Sequence, residues 1–336
     1  MSAVATSPAP ESRLPGILLA FAVAAVAFGL GRLMPLVGGA VCGIVLGILV
    51  RHFAAPSARF QPGIRFAGKQ ILQWSIIALG FGLSLNQVAK TGLESLSVTL
   101  ATVAAAGLVA WLLGRVLRVH DKLQVLIGIG TAICGGSAIA AVVPIIKPDD
   151  HDTAFAISTI FLFNLVAVLL FPLLGHAMGL SDLGFGLWAG TAINDTSSVV
   201  AAGYAYSQSA GDQALVVKLT RSLTLVPIVL VLVFLKSRRD SRVAGAKTKL
   251  PWRKLIPLFL IGFIAAAGLR SAGAVPETWL PTLSLIGTFL ITSALVAIGL
   301  SLRPKELRDA GPRPLLLGAI LWILVAVGSL GLQSFS

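Results

Sequence analysis

Apolar runs recur from one end of this chain to the other, and many are long enough to cross the roughly 30 Å hydrocarbon core of a bilayer. They fall at Leu14–Leu30, Val37–Val50, Ile71–Leu85, Leu93–Leu113, Leu123–Ile146, Thr153–Met178, Leu183–Tyr206, Ala214–Leu235, Leu255–Leu269, Pro281–Leu302 and Pro314–Leu332. Several are short and two contain polar interruptions. Only 12% of the 336 residues are charged, about half the share in ordinary soluble chains. Too little polar surface remains to cover a water-soluble protein of this size. The fold class expected is an all-α polytopic membrane protein with eleven hydrophobic segments. Cys42 and Cys134 both lie inside apolar runs, which argues against a disulfide framework.

The loops then set the orientation through the positive-inside rule. Arg51, Arg59, Arg65 and Lys69 lie between the second and third runs, and Arg115, Arg118 and Lys122 between the fourth and fifth. Eight basic residues crowd Lys236–Lys254, and Arg303, Lys305, Arg308 and Arg313 precede the last run. With Arg13 these loops of one parity hold twenty of the 26 Lys and Arg. The opposite loops hold Arg32, Lys90, Lys147 and Arg270, together with the acidic stretch Asp149, Asp150, His151 and Asp152. The N-terminus is therefore expected inside and the C-terminus outside. The formal net charge of +13 marks one membrane face and does not call for nucleic acid.

Residues 1–12 read as a disordered tail and residues 13–336 as a single transmembrane domain, its core around 123–146 and 183–235. The first run has a weak basic flank and follows Pro8, Pro10 and Glu11, so it reads as a retained helix and not as a signal peptide. Lys236–Lys254 is the one sizeable linker.

Two internal similarities stand out. Ala78–Leu85 (ALGFGLSL) resembles Ala297–Leu302 (AIGLSL), in runs expected to point in opposite directions. Such pairs mark the inverted repeats common in secondary transporters. More closely, Gly130–Ser137 (GTAICGGS) matches Gly190–Ser197 (GTAINDTS) at an offset of 60 residues. Small and polar residues are poor choices for the middle of an apolar helix, and backbone unwound at membrane depth must be shielded or line a wet cavity. Both stretches are expected to be breaks near the midplane, exposing helix N-termini that attract anions. The competing reading is small-residue packing between straight helices. Whether the two runs cross the membrane or turn back is left open by the residues.

Three charges fall well inside the apolar runs: Asp195 in the second break, and Lys218 and Arg221 three residues apart on one helix face. Each costs about 2.5–3.5 kcal/mol at the centre of a membrane helix unless paired or wetted. The economical arrangement pairs Asp195 with Lys218 or Arg221 and leaves one cation for an anionic substrate. The plain alternatives are a permanent buried salt bridge, or Lys218 reaching the interface. Asn164 is a further candidate, though a lone Asn commonly bonds two helices. The expected substrate site comprises Cys134, Gly135, Gly136, Ser137, Asn194, Asp195, Thr196, Ser197, Ser198, Lys218 and Arg221. Asp195 doubles as the coupling group, taking a proton or sodium.

His52, His120, His151 and His176 have no metal-ligand spacing, and no HExxH, GxSxG, Walker or dinucleotide motif is present. No metal, cofactor or enzymatic activity is expected.

Gln70–Leu85 (QILQWSIIALGFGLSL), Gly128–Pro144, Gly190–Gly203 and Lys218–Leu223 (KLTRSL) together resemble the YeiH-type family, to which sulfate export is ascribed, across nearly the whole chain. The resemblance implies kinship with sodium/proton antiporters and bile-acid symporters. It implies inverted repeats, a core with broken, crossing helices, elevator-like movement and a homodimer in a bacterial inner membrane. The expected function is secondary active transport of a small oxyanion, sulfate or a sulfonate, coupled to protons or sodium. A cation/proton antiporter with Asp195 as its ion site, and an anion channel, are the rival readings.

Overall fold

The computed structural model describes residues 12–33, 38–240, 258–301 and 312–334, and no strand occurs among them. The tail expected over residues 1–12 falls almost wholly outside the described residues. So do most of the basic linker at Lys236–Lys254 and most of the basic loop before the last run.

The helices are α1 (Leu14–Leu33), α2 (Gly38–Ala54), α3 (Gln61–Phe66), α4 (Leu72–Gly80), α5 (Leu85–Glu94), α6 (Leu96–Val116), α7 (Asp121–Ala132) and α8 (Gly136–Ile146). They continue with α9 (Asp150–Ala177), α10 (Asp182–Ala192), α11 (Thr196–Tyr206), α12 (Gln208–Leu223), α13 (Leu225–Asp240), α14 (Leu258–Ser271), α15 (Leu280–Ser301) and α16 (Pro312–Gln333). Among the described residues, six helical stretches are long and apolar enough to cross a bilayer. They become seven if Ala58–Gly80 and α5, bent 107° from it, form one broken span. Ser84 makes that bend: its hydroxyl accepts from Gln87 N–H while the Gln87 side chain accepts from Ser84 N–H, a reciprocal cap that starts α5 afresh.

The expected runs at 123–146 and 183–206 do not cross; each turns back. In the first, α7 ends at Ala132 and Gly135 turns the chain with φ +65, a conformation glycine adopts without strain. The returning α8 brings Lys147 back to the start of α7, where Lys122 Nζ donates to the Lys147 carbonyl at 2.7 Å. In the second, Tyr206 at the end of α11 donates to the Leu180 carbonyl at 2.5 Å. Its ring stacks on Phe185 near the start of α10, with centroids 3.9 Å apart.

The bases of these two hairpins lie at opposite ends of α9, a 28-residue helix about 42 Å long. His120 Nδ1, just before α7, is 2.8 Å from Asp152 Oδ2 in the first turn of α9. At the other end of α9, the His176 ring lies 4.1 Å from that of Tyr206. Placing Lys147 and the 149–152 acids across the membrane from Arg115–Lys122 is thereby corrected: the two segments are neighbours, because the run between them doubles back at Gly135. Of the two courses left open by the residues, crossing or turning back, both segments take the second, as two hairpins entering from opposite ends.

Their apolar limbs bury together. Leu126, Ile127, Ala138, Ile139 and Val142 of the first hairpin pack with Val229 of α13 and with Leu317 and Leu321 of α16. Phe185 and Trp188 of the second pack with Phe171 of α9, and the Trp188 indole donates to the Ala326 carbonyl at 2.9 Å.

Around this core stand α1–α4, α14 and α15, drawn together by glycines. A Cβ on Gly16 would lie 2.1 Å from the Phe60 carbonyl oxygen, and one on Gly299 would lie 2.4 Å from that of Ile44. Small residues of this kind let helix backbones meet in a membrane. Helices α4 and α15, at whose ends the ALGFGLSL and AIGLSL sequences begin, are antiparallel, for Gly68, just before α4, faces Ile298 while Leu79 faces Gly287.

Candidate functional site

The two hairpin tips touch: a Cβ on Gly135 would sit 3.6 Å from the Asn194 carbonyl. Helix α12 passes beside them and places Lys218 and Arg221, each 0% exposed, against both breaks. Lys218 Nζ donates to the Ile133 carbonyl at 2.8 Å and to the Ile193 carbonyl at 2.9 Å. Arg221 donates through Nε to Ala132 at 2.8 Å, through Nη2 to Thr131 at 2.8 Å, and through Nη1 to Thr191.

The repeated GTAI sequence thus acquires a physical role. Where α7 and α10 stop, their last carbonyls lack intrahelical partners and carry the negative end of the helix dipole. Two basic side chains satisfy five of those carbonyls, drawn from both hairpins. Guanidinium suits the larger share because its planar fork presents donors in several directions. The expected pairing of Asp195 with Lys218 or Arg221 is replaced by this arrangement; among the described residues no ion pair joins them. Helix ends offer carbonyls whatever their side chains, so spacing alone could not reveal these partners.

Asp195 instead caps α11. Its carboxylate accepts from Ser198 N–H at 3.2 Å and from the Ser197 hydroxyl, and it remains partly exposed. Thr196 beside it is also partly open, while Ser197 and Ser198 are buried. In the other hairpin the equivalent cap position is Gly135, which supplies no side chain to α8. Cys134 is buried in the turn, Gly136 is partly open and Ser137 is exposed.

Asn164, in the middle of α9, matters more than a lone polar residue suggests. Its Oδ1 accepts from the backbone N–H of Asn194 at 3.0 Å and of Asp195 at 3.4 Å, fixing the second tip to α9. Its Nδ2 is buried without a hydrogen-bond partner, as are both side-chain polar atoms of Asn194. Buried polar atoms are nearly always paired, so these amides mark the tips as a place built for something polar. The signal was an amide in an otherwise apolar helix. Among the described residues no group of three or more His, Cys, Asp or Glu is placed to hold a metal ion.

The structure therefore gathers every residue of the expected site around the two tips but divides them by task. Lys218 and Arg221 hold the breaks from behind. Gly136, Ser137, Asp195 and Thr196 are the residues of the tips left partly or fully open, and the Asn194 backbone N–H donates to Asn164. The open N–H groups of α8 can donate to an oxyanion, and the carboxylate at the head of α11 can bind a cation or take a proton.

A protein family described as Conserved hypothetical protein 698 matches residues 15–318. The chain is 40% identical over 343 residues to a UPF0324 membrane protein of Fusobacterium nucleatum subsp. nucleatum, covering 96% of this chain and 98% of that one. It is 41% identical over 328 residues to a UPF0324 membrane protein of Streptococcus pyogenes serotype M18, covering 96% of each. A UPF0324 membrane protein of Clostridium tetani is 38% identical over 330 residues, covering 95% and 96%. No solved structure matches the chain.

Proposed function

The chain belongs to this family of conserved membrane proteins, and from that premise we propose that it is a secondary transporter of a small oxyanion, sulfate or a sulfonate. It works in a bacterial cytoplasmic membrane, as a homodimer with N-terminus inside and C-terminus outside, and as a carrier rather than an enzyme. One observation carries the reading: two hairpins enter from opposite ends and meet, and only one of the two returning helices has a side-chain cap. Asp195 heads α11, whereas nothing heads α8 but Gly135. An oxyanion at Gly136 and Ser137 would do for α8 what the Asp195 carboxylate does for α11. The buried Lys218 and Arg221 outnumber Asp195, which favours an anion. Coupling to protons or sodium falls to Asp195. Hairpins facing each other suit an elevator movement that exposes the tips to each side in turn.

Thermal shift on the purified protein with sulfate, sulfite, taurine, isethionate and chloride tests this. Stabilisation by an oxyanion should disappear in Ser137→Asp, which supplies the carboxylate that α8 lacks at a position where acids suit a helix. Stabilisation retained in that variant overturns the site.

The second reading is a cation/proton antiporter. It is favoured by the fact that Asp195 forms no ion pair among the described residues. Parallel flux assays in proteoliposomes with labelled sulfate and labelled sodium separate the two.

A further inference from the structure

A second site lies beside the first hairpin. A cavity of about 660 Å³ lies between α6, α7 and α13. Its walls are almost wholly apolar, with Leu100, Val103 and Gly107 from α6, Ile129 from α7, and Ile228 and Leu232 from α13 among them. It reaches from Trp111 at one end of α6 to Ala132 and Ile133 at the hairpin tip. From Leu100 to Trp111 the groove follows about 16 Å of helix, a length that suits an acyl chain.

The shallow end is cationic. The Arg115 guanidinium stacks over Trp111, 4.2 Å from the ring centroid, and Arg118 stands in the turn just past the end of α6. Among the described residues no ion pair takes either arginine. A Trp and unpaired arginines at a helix end mark the interfacial level of a membrane, and basic pockets between helices attract anionic headgroups. We infer that this groove is a binding site for an anionic phospholipid, its acyl chain between α6 and α13 and its phosphate at Arg115. The chain would then pack behind Ala132 and Ile133, whose carbonyls hold Arg221 and Lys218. Occupancy would brace the hairpin carrying the open α8 N-terminus. The inference does not depend on which ion is transported.

Native mass spectrometry of the full chain tests it, using phosphatidylglycerol and phosphatidylcholine with identical acyl chains, and glycerol 3-phosphate as a headgroup without a chain. Phosphatidylglycerol is expected to bind about tenfold or more tightly than phosphatidylcholine. Gly107→Leu should weaken both lipids, because a Cβ at Gly107 meets nothing within 4 Å and the larger side chain fills the groove. Ala104→Leu, on the same wall, gives an independent reading. Arg115→Gln should erase the preference between lipids, while Gly29→Leu, at another open position, should leave it unchanged. Equal binding of the two lipids by the unmodified protein, or an unaltered preference in Arg115→Gln, overturns the inference. So does undiminished lipid binding in both groove-filling variants, or displacement of the lipid by glycerol 3-phosphate.

Discussion

Gly135 and Asp195 hold the same place in two facing hairpins, each standing immediately before the first turn of the returning helix. One is a hydrogen, the other a carboxylate, in otherwise similar sequences 60 residues apart. In the proposed carrier, that difference assigns anion binding to the first hairpin and coupling to the second.

The Asp195 cap can be parted from its charge. Asn caps helices about as well as Asp, whereas Ala costs about 1 kcal/mol. Asp195→Asn is therefore expected to melt close to the unmodified protein and Asp195→Ala lower. If Asp195 is the coupling group, flux in Asp195→Asn proteoliposomes no longer responds to a pH or sodium gradient. Normal flux with a normal gradient response removes the carboxylate from coupling.

Lys122 and Lys147 touch across the base of the first hairpin, which fixes them on one face of the membrane. Single cysteines at the two positions, in a background lacking Cys42 and Cys134, should react with an impermeant maleimide from the same side. A cysteine at Ser207, beside the base of the second hairpin, should react from the other. Labelling of positions 122 and 147 from opposite sides would contradict the hairpin.

Replacing Arg221 strands three buried carbonyls at once. Each unpaired buried group costs about 1–3 kcal/mol, so Arg221→Gln should lose more than about 3 kcal/mol. Arg221→Lys should recover part of that, having charge without the planar fork. Chemical unfolding in detergent provides the measure. A loss below about 1 kcal/mol in Arg221→Gln would show that these bonds do not hold the tips.

Asn164 pins the second tip through backbone N–H groups. Asn164→Leu should speed hydrogen exchange at the Asn194 amide by about tenfold or more, since about 1.4 kcal/mol of protection corresponds to a factor of ten. Exchange in α7 and α8 should change little. Unaltered exchange at Asn194 would show that the tip is held by other contacts.

Glycines in the surrounding helices divide sharply. Gly299→Ala forces a methyl to 2.4 Å from the Ile44 carbonyl oxygen, whereas Gly328→Ala meets nothing within 4 Å. The first should lower the melting temperature and the folded yield. The second should be neutral or stabilising by up to about 1 kcal/mol from helix propensity. Equal effects would mean that α2 and α15 separate at no cost.

The breaks at residues 133–135 and 193–195 were legible because Gly, Asn and Asp interrupt apolar helices wherever they cluster. The return of the chain was not. Hydropathy treats a helix that continues and one that doubles back alike, and contacts such as those of Lys122 with Lys147 and of Tyr206 with Leu180 distinguish them. The buried charges were legible as costly but not as to partner, because opposite charge suggests Asp195 while the carbonyls of Thr131, Ala132, Ile133, Thr191 and Ile193 leave no trace in side-chain chemistry. Asn164 was visible and underweighted for the same reason: its partners are backbone N–H groups.

Lys218 and Arg221 are enclosed by the hairpins and must travel wherever the hairpins travel. For the carrier proposed above, with Lys218, Arg221 and Asp195 all ionised, the empty site carries one net positive charge, and a bound divalent anion reverses the sign. Moving one elementary charge through the full membrane potential is worth about 2.3 kcal/mol per 100 mV. A potential negative inside would draw the empty site inward and drive the loaded one outward. Carrier and cargo would then make the cycle electrogenic, with its direction set by voltage.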